Sequence, residues 1–359
     1  MNGVGKDETT TKRKKKALSP HEKVCHQLQN IGLTHLCPWI PKKWEKVGHV
    51  IILKYVPELE DEEAKVASAF LEVFSDVDVV VVDQMGIEGE LRKPTSRVVL
   101  RRDGGCHSTE VVHVENGVKY KWDVLKIMFS SGNTKERIRF RREVKAQGEV
   151  VIDMFAGLGY FSIPLSMADV SNRPAHLYCI EKNPDSYHFL TENVRLNSVQ
   201  SIVTTLCGDN RVVGQDLVGK AQRVLMGYIP TPVSFLPRAF EFLANGCGVI
   251  HYHYTSTKEE SVSMPVEHVI EQLGPLGVVW APDPRSTTPS GMPDTNTDPK
   301  PSLSPEPQHE SNPHPELIAK QNPWTYCTLQ QIHCIKSYRP QVFHWIAEIG
   351  FRREAPLGP

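Results

Sequence analysis

Apolar positions along the chain change their period twice. Between about Trp39 and Trp122 short apolar runs alternate with one helical stripe. His49–Leu53 and Val77–Val82 predict buried strands. Val66, Ala69, Phe70 and Val73 recur at helical spacing and predict an amphipathic helix over Glu62–Phe74. Arg97–Arg101 and Thr109–Val114 alternate about a turn at Gly104-Gly105, and Glu115-Asn116-Gly117 carries the Asn-Gly hairpin signal. This stretch predicts a small α+β domain.

From Gly148 to about Tyr254 the pattern becomes a repeated βαβ. Strands are predicted at Val150–Met154, Leu177–Ile180, Ile202–Cys207, Arg223–Met226 and Gly248–Tyr252. Helices are predicted at Phe161–Met167, at Pro184–Leu196 with Pro in its first turn, and at Ser234–Leu243. Such alternation implies a parallel sheet covered on both faces. Two closing strands, Gln330–Ile335 and Val342–Ile349, are separated by a turn at Ser337-Tyr338-Arg339-Pro340. Residues 282–316 are dense in Pro, Ser, Thr and Asn, and are expected to form a disordered insertion. The expected organisation is a basic tail (1–20), an α+β domain (21–128), and a Rossmann-like domain (129–281 and 317–359) interrupted by 282–316. No internal repeat is visible.

Composition narrows the function classes. Lys and Arg total 41 against 42 Asp and Glu, so the formal net charge is −1. A uniformly basic nucleic-acid coat is excluded, but a local basic face is not. No apolar run approaches the roughly 20 residues of a membrane helix, so no membrane partner is expected. The N-terminus lacks the apolar segment of a signal peptide. With eight Cys and no CxxC pair, neither a disulfide scaffold nor a structural zinc site is expected. The chain reads as reduced, intracellular and cytoplasmic. Lys6, Lys12, Arg13, Lys14, Lys15 and Lys16 make a solvated tail or, in a sharper reading, a nuclear-import signal or an arm on phosphates.

The chemistry concentrates at the ends of the predicted strands. Val150–Asp153 runs into Met154-Phe155-Ala156-Gly157-Leu158-Gly159, a strand, a Gly-x-Gly turn and then a helix. Glu181 ends the next strand, where an acidic residue is suited to ribose hydroxyls. Asp209 and Asn210 follow the third strand and can read an adenine edge, and Gly227-Tyr228-Ile229-Pro230 follows the fourth. Each alone is a strand-terminating turn. Together, and in order, they mark the rim where open α/β sheets bind ligands. A nicotinamide cofactor would call for the full G-x-G-x-x-G, but Ser162 stands where its last Gly would be. Asp153 ahead of two glycines is instead the arrangement of adenosylmethionine enzymes, which makes Asp153, Phe155, Gly157 and Gly159 cofactor candidates. Ser130 and Arg137, just upstream, can hold the amino-acid carboxylate; the alternative is a surface loop and a solvated helix over Lys135–Arg142.

Lys126–Arg137 (Lys-Ile-Met-Phe-Ser-Ser-Gly-Asn-Thr-Lys-Glu-Arg), Asp153–Phe161, Glu181-Lys182-Asn183-Pro184, Gly208-Asp209-Asn210-Arg211, Gly227-Tyr228-Ile229-Pro230 and Lys336-Ser337-Tyr338 together resemble the tRNA wybutosine-synthesizing protein 2 family. That family is related to the tRNA (guanine-37-N1) methyltransferases. The resemblance covers about residues 40–280 and resumes at 323–350. It implies a class I adenosylmethionine-dependent fold. It also implies transfer of the 3-amino-3-carboxypropyl group of S-adenosyl-L-methionine to 4-demethylwyosine at position 37 of tRNA-Phe, without a metal. Carried over, Ser130, Arg137, Glu181, Asp209 and Asn210 contact the cofactor. Arg137 departs from the Lys frequent in relatives.

Gly227 favours this subtype. Methyltransferases acting on amino or ring nitrogens often carry Asn or Asp there as a side-chain acceptor, which a carbon nucleophile needs less. Which carbon on the sulfonium is attacked becomes a matter of positioning. No general base is assigned; His251 and His253, near the end of the fifth strand, are more often structural.

The partner is expected to be the anticodon loop of tRNA-Phe, met by a monomer. Lys42, Lys43, Lys46, Arg92, Lys93, Arg97, Arg101, Arg102, Lys119, Lys121 and Arg137–Arg142 are the candidates for phosphate contacts. Trp324 or Tyr228 can stack on an extruded base. Two other readings stand beside this one. A guanine-N1 methyltransferase predicts Asn at position 227. A non-catalytic tRNA-binding protein is opposed by intact Asp153, Glu181 and Asp209.

Overall fold

The computed structural model describes residues 17–281 and 325–353. The basic tail up to residue 16, the insertion at 282–316 and Trp324 lie outside the described residues. The described chain divides into two units: 17–113 with Lys121–Phe129, and Val114–Tyr120 with 130–281 and 325–353.

The first unit opens with helix α1 (Pro20–Asn30), which the sequence analysis did not predict. Its start is a capping box: Ser19 Oγ accepts from the Glu22 N–H, and Glu22 accepts from the Ser19 N–H. Only Val24 and Leu28 are buried, too narrow a stripe to stand out in the pattern. Strands β1 (Glu45–Val47), β2 (Val50–Lys54), β3 (Val79–Glu88) and β4 (Lys93–Arg101) follow, with α2 (Glu63–Val73) between β2 and β3. They form one sheet in the order β1-β2-β3-β4, with β2 and β3 parallel. Phe70 and Val66 of α2 pack with Ile51 and Val80 in its core. A two-stranded ribbon follows, β5 (Glu110–Glu115) and β6 (Val118–Asp123), turned at Asn116-Gly117.

The second unit carries helix α3 (Thr134–Arg142), then β7 (Val150–Asp153), α4 (Ser162–Ser166), β8 (His176–Glu181), α5 (Pro184–Leu196) and β9 (Val203–Cys207). It continues with β10 (Arg223–Met226), α6 (Leu236–Phe242), β11 (Gly248–Ser256), α7 (Ser263–Leu273), β12 (Val278–Trp280), β13 (Thr325–Arg339) and β14 (Val342–Arg353). The eight strands from β7 to β14 make one sheet, ordered β12-β13-β14-β11-β10-β7-β8-β9. β9, β8, β7, β10 and β11 are mutually parallel. Every residue of β10 is buried, as expected of a central strand with helices on both faces. The chain order reverses between β7 and β10, so the ligand crevice of such a sheet opens above that pair.

The structure corrects the closing strands. They are longer than predicted, and the turn falls at Pro340-Gln341, with Gln341 at φ 62°. β14 runs antiparallel to β11 from Phe343 opposite Ser256 to Phe351 opposite Gly248. That pairing extends β11 to Ser256. His251 and His253 therefore lie inside the strand, fully buried, rather than at its end.

Candidate functional site

The turns after β7, β8, β9 and β10 all lie at the C-terminal rim of the sheet. Asp153 is buried, takes the Phe155 N–H at 3.2 Å on one carboxylate oxygen and the Ser162 hydroxyl on the other, and ties the Gly-x-Gly turn to α4. Burial pushes its carboxyl up to about 6. Its role is therefore to shape the turn from behind rather than to face the cleft. Gly159 sits at φ 87°, and a Cβ there would lie 2.6 Å from Ile163. The turn can pack this tightly on α4 only with glycine.

Glu181 receives the Gly157 N–H on one oxygen and the Asn183 N–H on the other, each at 2.7 Å. Burial raises its carboxyl. Two backbone donors fix its orientation, and each oxygen keeps a lone pair for a ligand hydroxyl. Asn210 is buried. Its Nδ2 donates to the Met154 carbonyl at 2.9 Å, and its backbone carbonyl accepts from Arg238. Its Oδ1 is buried without a hydrogen-bond partner. A pinned amide with an orphaned acceptor fits the amino edge of a purine. Asp209 is clamped by Arg211 and Lys182, and the Arg211 hydrogen bonds hold its carboxyl well below the usual range.

Phe155 stands over the same rim, packed on Tyr228 (5.2 Å between ring centres) and edge-on to Phe235 (5.0 Å). Tyr228 belongs to the Gly227–Pro230 turn, whose Ile229-Pro230 peptide is cis. The Pro230 carbonyl is held by the Thr255 N–H at 2.9 Å. A Cβ on Gly227 would come within 3.1 Å of the Phe161 ring, so a side chain there would press on that ring by a few tenths of an ångström.

Upstream, Arg137 is 2% exposed. Its guanidinium grips Glu115 through Nε at 2.6 Å and Nη2 at 2.8 Å, and donates through Nη1 to the Ser130 carbonyl at 2.9 Å. These bonds tie Arg137 to the Ser130 turn. Ser130 Oγ instead accepts from Lys336 Nζ of β13 at 2.8 Å. Glu115 and Lys336 are the two residues of this corner that sequence reasoning did not place there.

The chain is similar to known proteins in sequence and in fold. The sequence model of the TRM5/TYW2 methyltransferase domain matches residues 111–276, and that of the TYW2 N-terminal domain matches residues 28–103. A tRNA(Phe) (4-demethylwyosine(37)-C(7)) aminocarboxypropyltransferase from Pyrococcus horikoshii is 39% identical over 231 residues, 64% of this chain and 77% of the relative. The chain belongs to the TYW2 family. A tRNA (guanine(37)-N(1))-methyltransferase, Trm5b of Pyrococcus abyssi, is 32% identical over 67% of this chain and 68% of its own length. The crystal structure of P. horikoshii TYW2 in complex with MeSAdo is 26% identical, with a TM-score of 0.67 over 93% of this chain and all of that one.

TYW2-family membership leaves the basic residues to be judged one by one. Arg102 donates to the Leu71, Phe74 and Val77 carbonyls and closes the end of α2, so it is spent inside its own unit. Lys46 pairs with Asp76, Arg97 with Glu63, Lys121 with Glu110, and Arg139 with Glu136 and Glu348. Lys42, Lys43 and Lys119 are exposed. Among the described residues there is no cluster that could hold a metal, and no helix is long and apolar enough to cross a membrane.

Proposed function

We propose that the chain transfers the 3-amino-3-carboxypropyl group of S-adenosyl-L-methionine to 4-demethylwyosine at position 37 of tRNA-Phe, releasing methylthioadenosine. When bound, adenosylmethionine supplies a sulfonium with three electrophilic carbons. The chain's residues decide which of them meets the base. Glu181 takes the ribose hydroxyls, Asn210 Oδ1 takes the adenine amino group, and the Gly157–Gly159 turn lies under the sugar. Asp209, already clamped by two cations, shapes the adenine end of the cleft. Phe155 and Tyr228 form the aromatic wall against which an extruded base stacks.

The observation that carries this reading is Gly227. Position 227, in the turn after β10, offers no side-chain acceptor to a ring nitrogen. A carbon nucleophile fits that turn, and catalysis rests on orientation and on the charge around the sulfonium. The reading carries with it a cytoplasmic enzyme that meets the anticodon loop as a monomer.

The test is coproduct identification by mass spectrometry after incubation with adenosylmethionine and precursor tRNA-Phe. Methylthioadenosine is expected. S-adenosylhomocysteine would replace this reading with the guanine-N1 methyltransferase.

A further inference from the structure

The turn that follows β10 is fastened from outside. Pro230 and Pro232 remove two backbone donors from this segment. The Pro230 carbonyl accepts from the Thr255 N–H of β11 at 2.9 Å. A second fastening comes from Tyr252, which lies opposite Met226 in the β10–β11 register and is fully buried. Its hydroxyl stands 2.7 Å from Thr231 Oγ1, directly after the turn, and 2.8 Å from His268 Nδ1 on α7. Helix α7 is itself anchored by buried Val266, Val269 and Leu273. A phenol has one proton to give. Whichever neighbour takes it, the other bond must be donated to the phenol oxygen, so the two bonds are set together. Burial raises the Tyr252 phenol and lowers the His268 imidazole, which keeps both groups neutral near pH 7.

The turn reaches the cleft through Tyr228, whose ring packs on Phe155 at 5.2 Å. Resting on the transfer reading above, we propose that Tyr252 is a positioning residue for the group transfer. With Thr231 and His268 on either side of its hydroxyl, it holds the Gly227–Pro230 turn, and with it the Tyr228 ring against which the base stacks. The transfer needs the base carbon in line with the donor carbon, and a misplacement of about 1 Å is enough to slow such a step. Buried and engaged on both sides, Tyr252 acts through the turn and not on the ligands themselves. The groups that grip the adenosine, Glu181 and Asn210, come from the turns after β8 and β9 and do not depend on it.

The test follows transfer from carboxyl-labelled adenosylmethionine to precursor tRNA-Phe by the full chain, beside calorimetric titration with adenosylmethionine. Tyr252→Phe removes the hydroxyl and keeps the ring. It should lower kcat about tenfold, the range of one or two lost hydrogen bonds. The KM for tRNA and the affinity for adenosylmethionine should stay within about twofold, because phosphate contacts and the adenosine grip are untouched. Unchanged donor binding also reports that the variant is folded. Thr231→Val should reproduce the fall in kcat, and Thr231→Ser, which keeps the hydroxyl, should not. Tyr252→Phe combined with Thr231→Val should cost no more than Tyr252→Phe alone, since both remove one bond. Wild-type kcat in Tyr252→Phe, or a loss of adenosylmethionine affinity as large as the loss of rate, would overturn the inference and leave the transfer reading standing. If the wild-type chain puts no carboxyl label on the tRNA, the transfer reading falls and takes the inference with it.

Discussion

The two halves of the proposed donor cleft are built by different means. The adenosine half comes from the turns of one sheet rim. Glu181 ends β8 and Asp209-Asn210 follow β9, and neighbouring turns of that rim orient them: the Gly157 and Asn183 N–H groups on Glu181, the Arg211 N–H on Asp209, and the Met154 carbonyl, which accepts from Asn210 Nδ2. The amino-acid half is assembled from residues far apart in the chain. Glu115 meets Arg137 across 22 positions, and Lys336 meets Ser130 across 206. A turn aimed by its own backbone forms wherever the strand order is right. A subsite aimed by long-range side chains depends on β5, α3 and β13 all being in place. The difference matters for the reaction, because an adenosine grip by itself is compatible with transfer of any of the three carbons. The long-range corner is the part that can choose.

The comparison can be broken hardest at Arg137. Arg137→Ala takes the guanidinium away from the largely buried Glu115 carboxylate, which keeps its Thr134 hydrogen bond, and chemical denaturation should show a loss of about 3–5 kcal/mol. Removing both partners together should cost less than the sum of the single changes. A loss within a few tenths of a kcal/mol for Arg137→Ala would mean the pair does not organise the corner.

Asp153 tests the local half by pH. Its folded carboxyl is raised from 3.8 to about 6, so between those values the folded state binds more protons than the unfolded one. Stability should therefore fall as pH rises through that window, by on the order of 3 kcal/mol. Asp153→Asn should remove the slope, read as the difference between the two pH profiles. Identical profiles would contradict the burial of this carboxyl.

Glu181→Ala should weaken adenosylmethionine and methylthioadenosine alike, about tenfold to a hundredfold, because the ribose is common to both. A selective loss at Glu181 would invert the assignment of the two halves.

The smallest effect concerns His344, which pairs in register with Lys336 across β13 and β14. Burial, and after it the Lys336 charge, lowers its imidazole to about 4. The folded state thus excludes a proton that the unfolded state takes up, and this group's contribution to stability is lost as pH falls from the ordinary histidine range. Lys336→Met should move the imidazole upward in an NMR titration; no movement would place the lysine's charge elsewhere.

Legibility in the sequence follows the same division. Strand-end turns are contiguous signals, so Glu181, Asp209-Asn210 and the Gly-x-Gly turn could be read directly, and the βαβ alternation gave the parallel strands. Helix α7 was not predicted, although Val266, Val269, Ile270 and Leu273 recur at helical spacing, with Val266, Val269 and Leu273 buried. Helix α1 announces itself through Ser19-Pro20 and Glu22 rather than through its apolar stripe. Glu115 reads as the exposed end of an Asn-Gly hairpin. Only folding brings the α3 arginine to it, so no local pattern could have shown that Arg137 is already engaged. The extent of β13 and β14 was hidden for a related reason. The bulges near Gln330, Ile335 and Tyr338 break the alternation that marks a strand.

The central claim is that the donor's amino-acid arm, and not its methyl, is delivered to the base. It is tested most directly by parallel reactions with adenosylmethionine labelled in the carboxyl group or in the methyl group, followed by isolation of the tRNA. Carboxyl label on the tRNA with the methyl label left in solution is the predicted result. Methyl label on the tRNA, with none from the carboxyl, would contradict it.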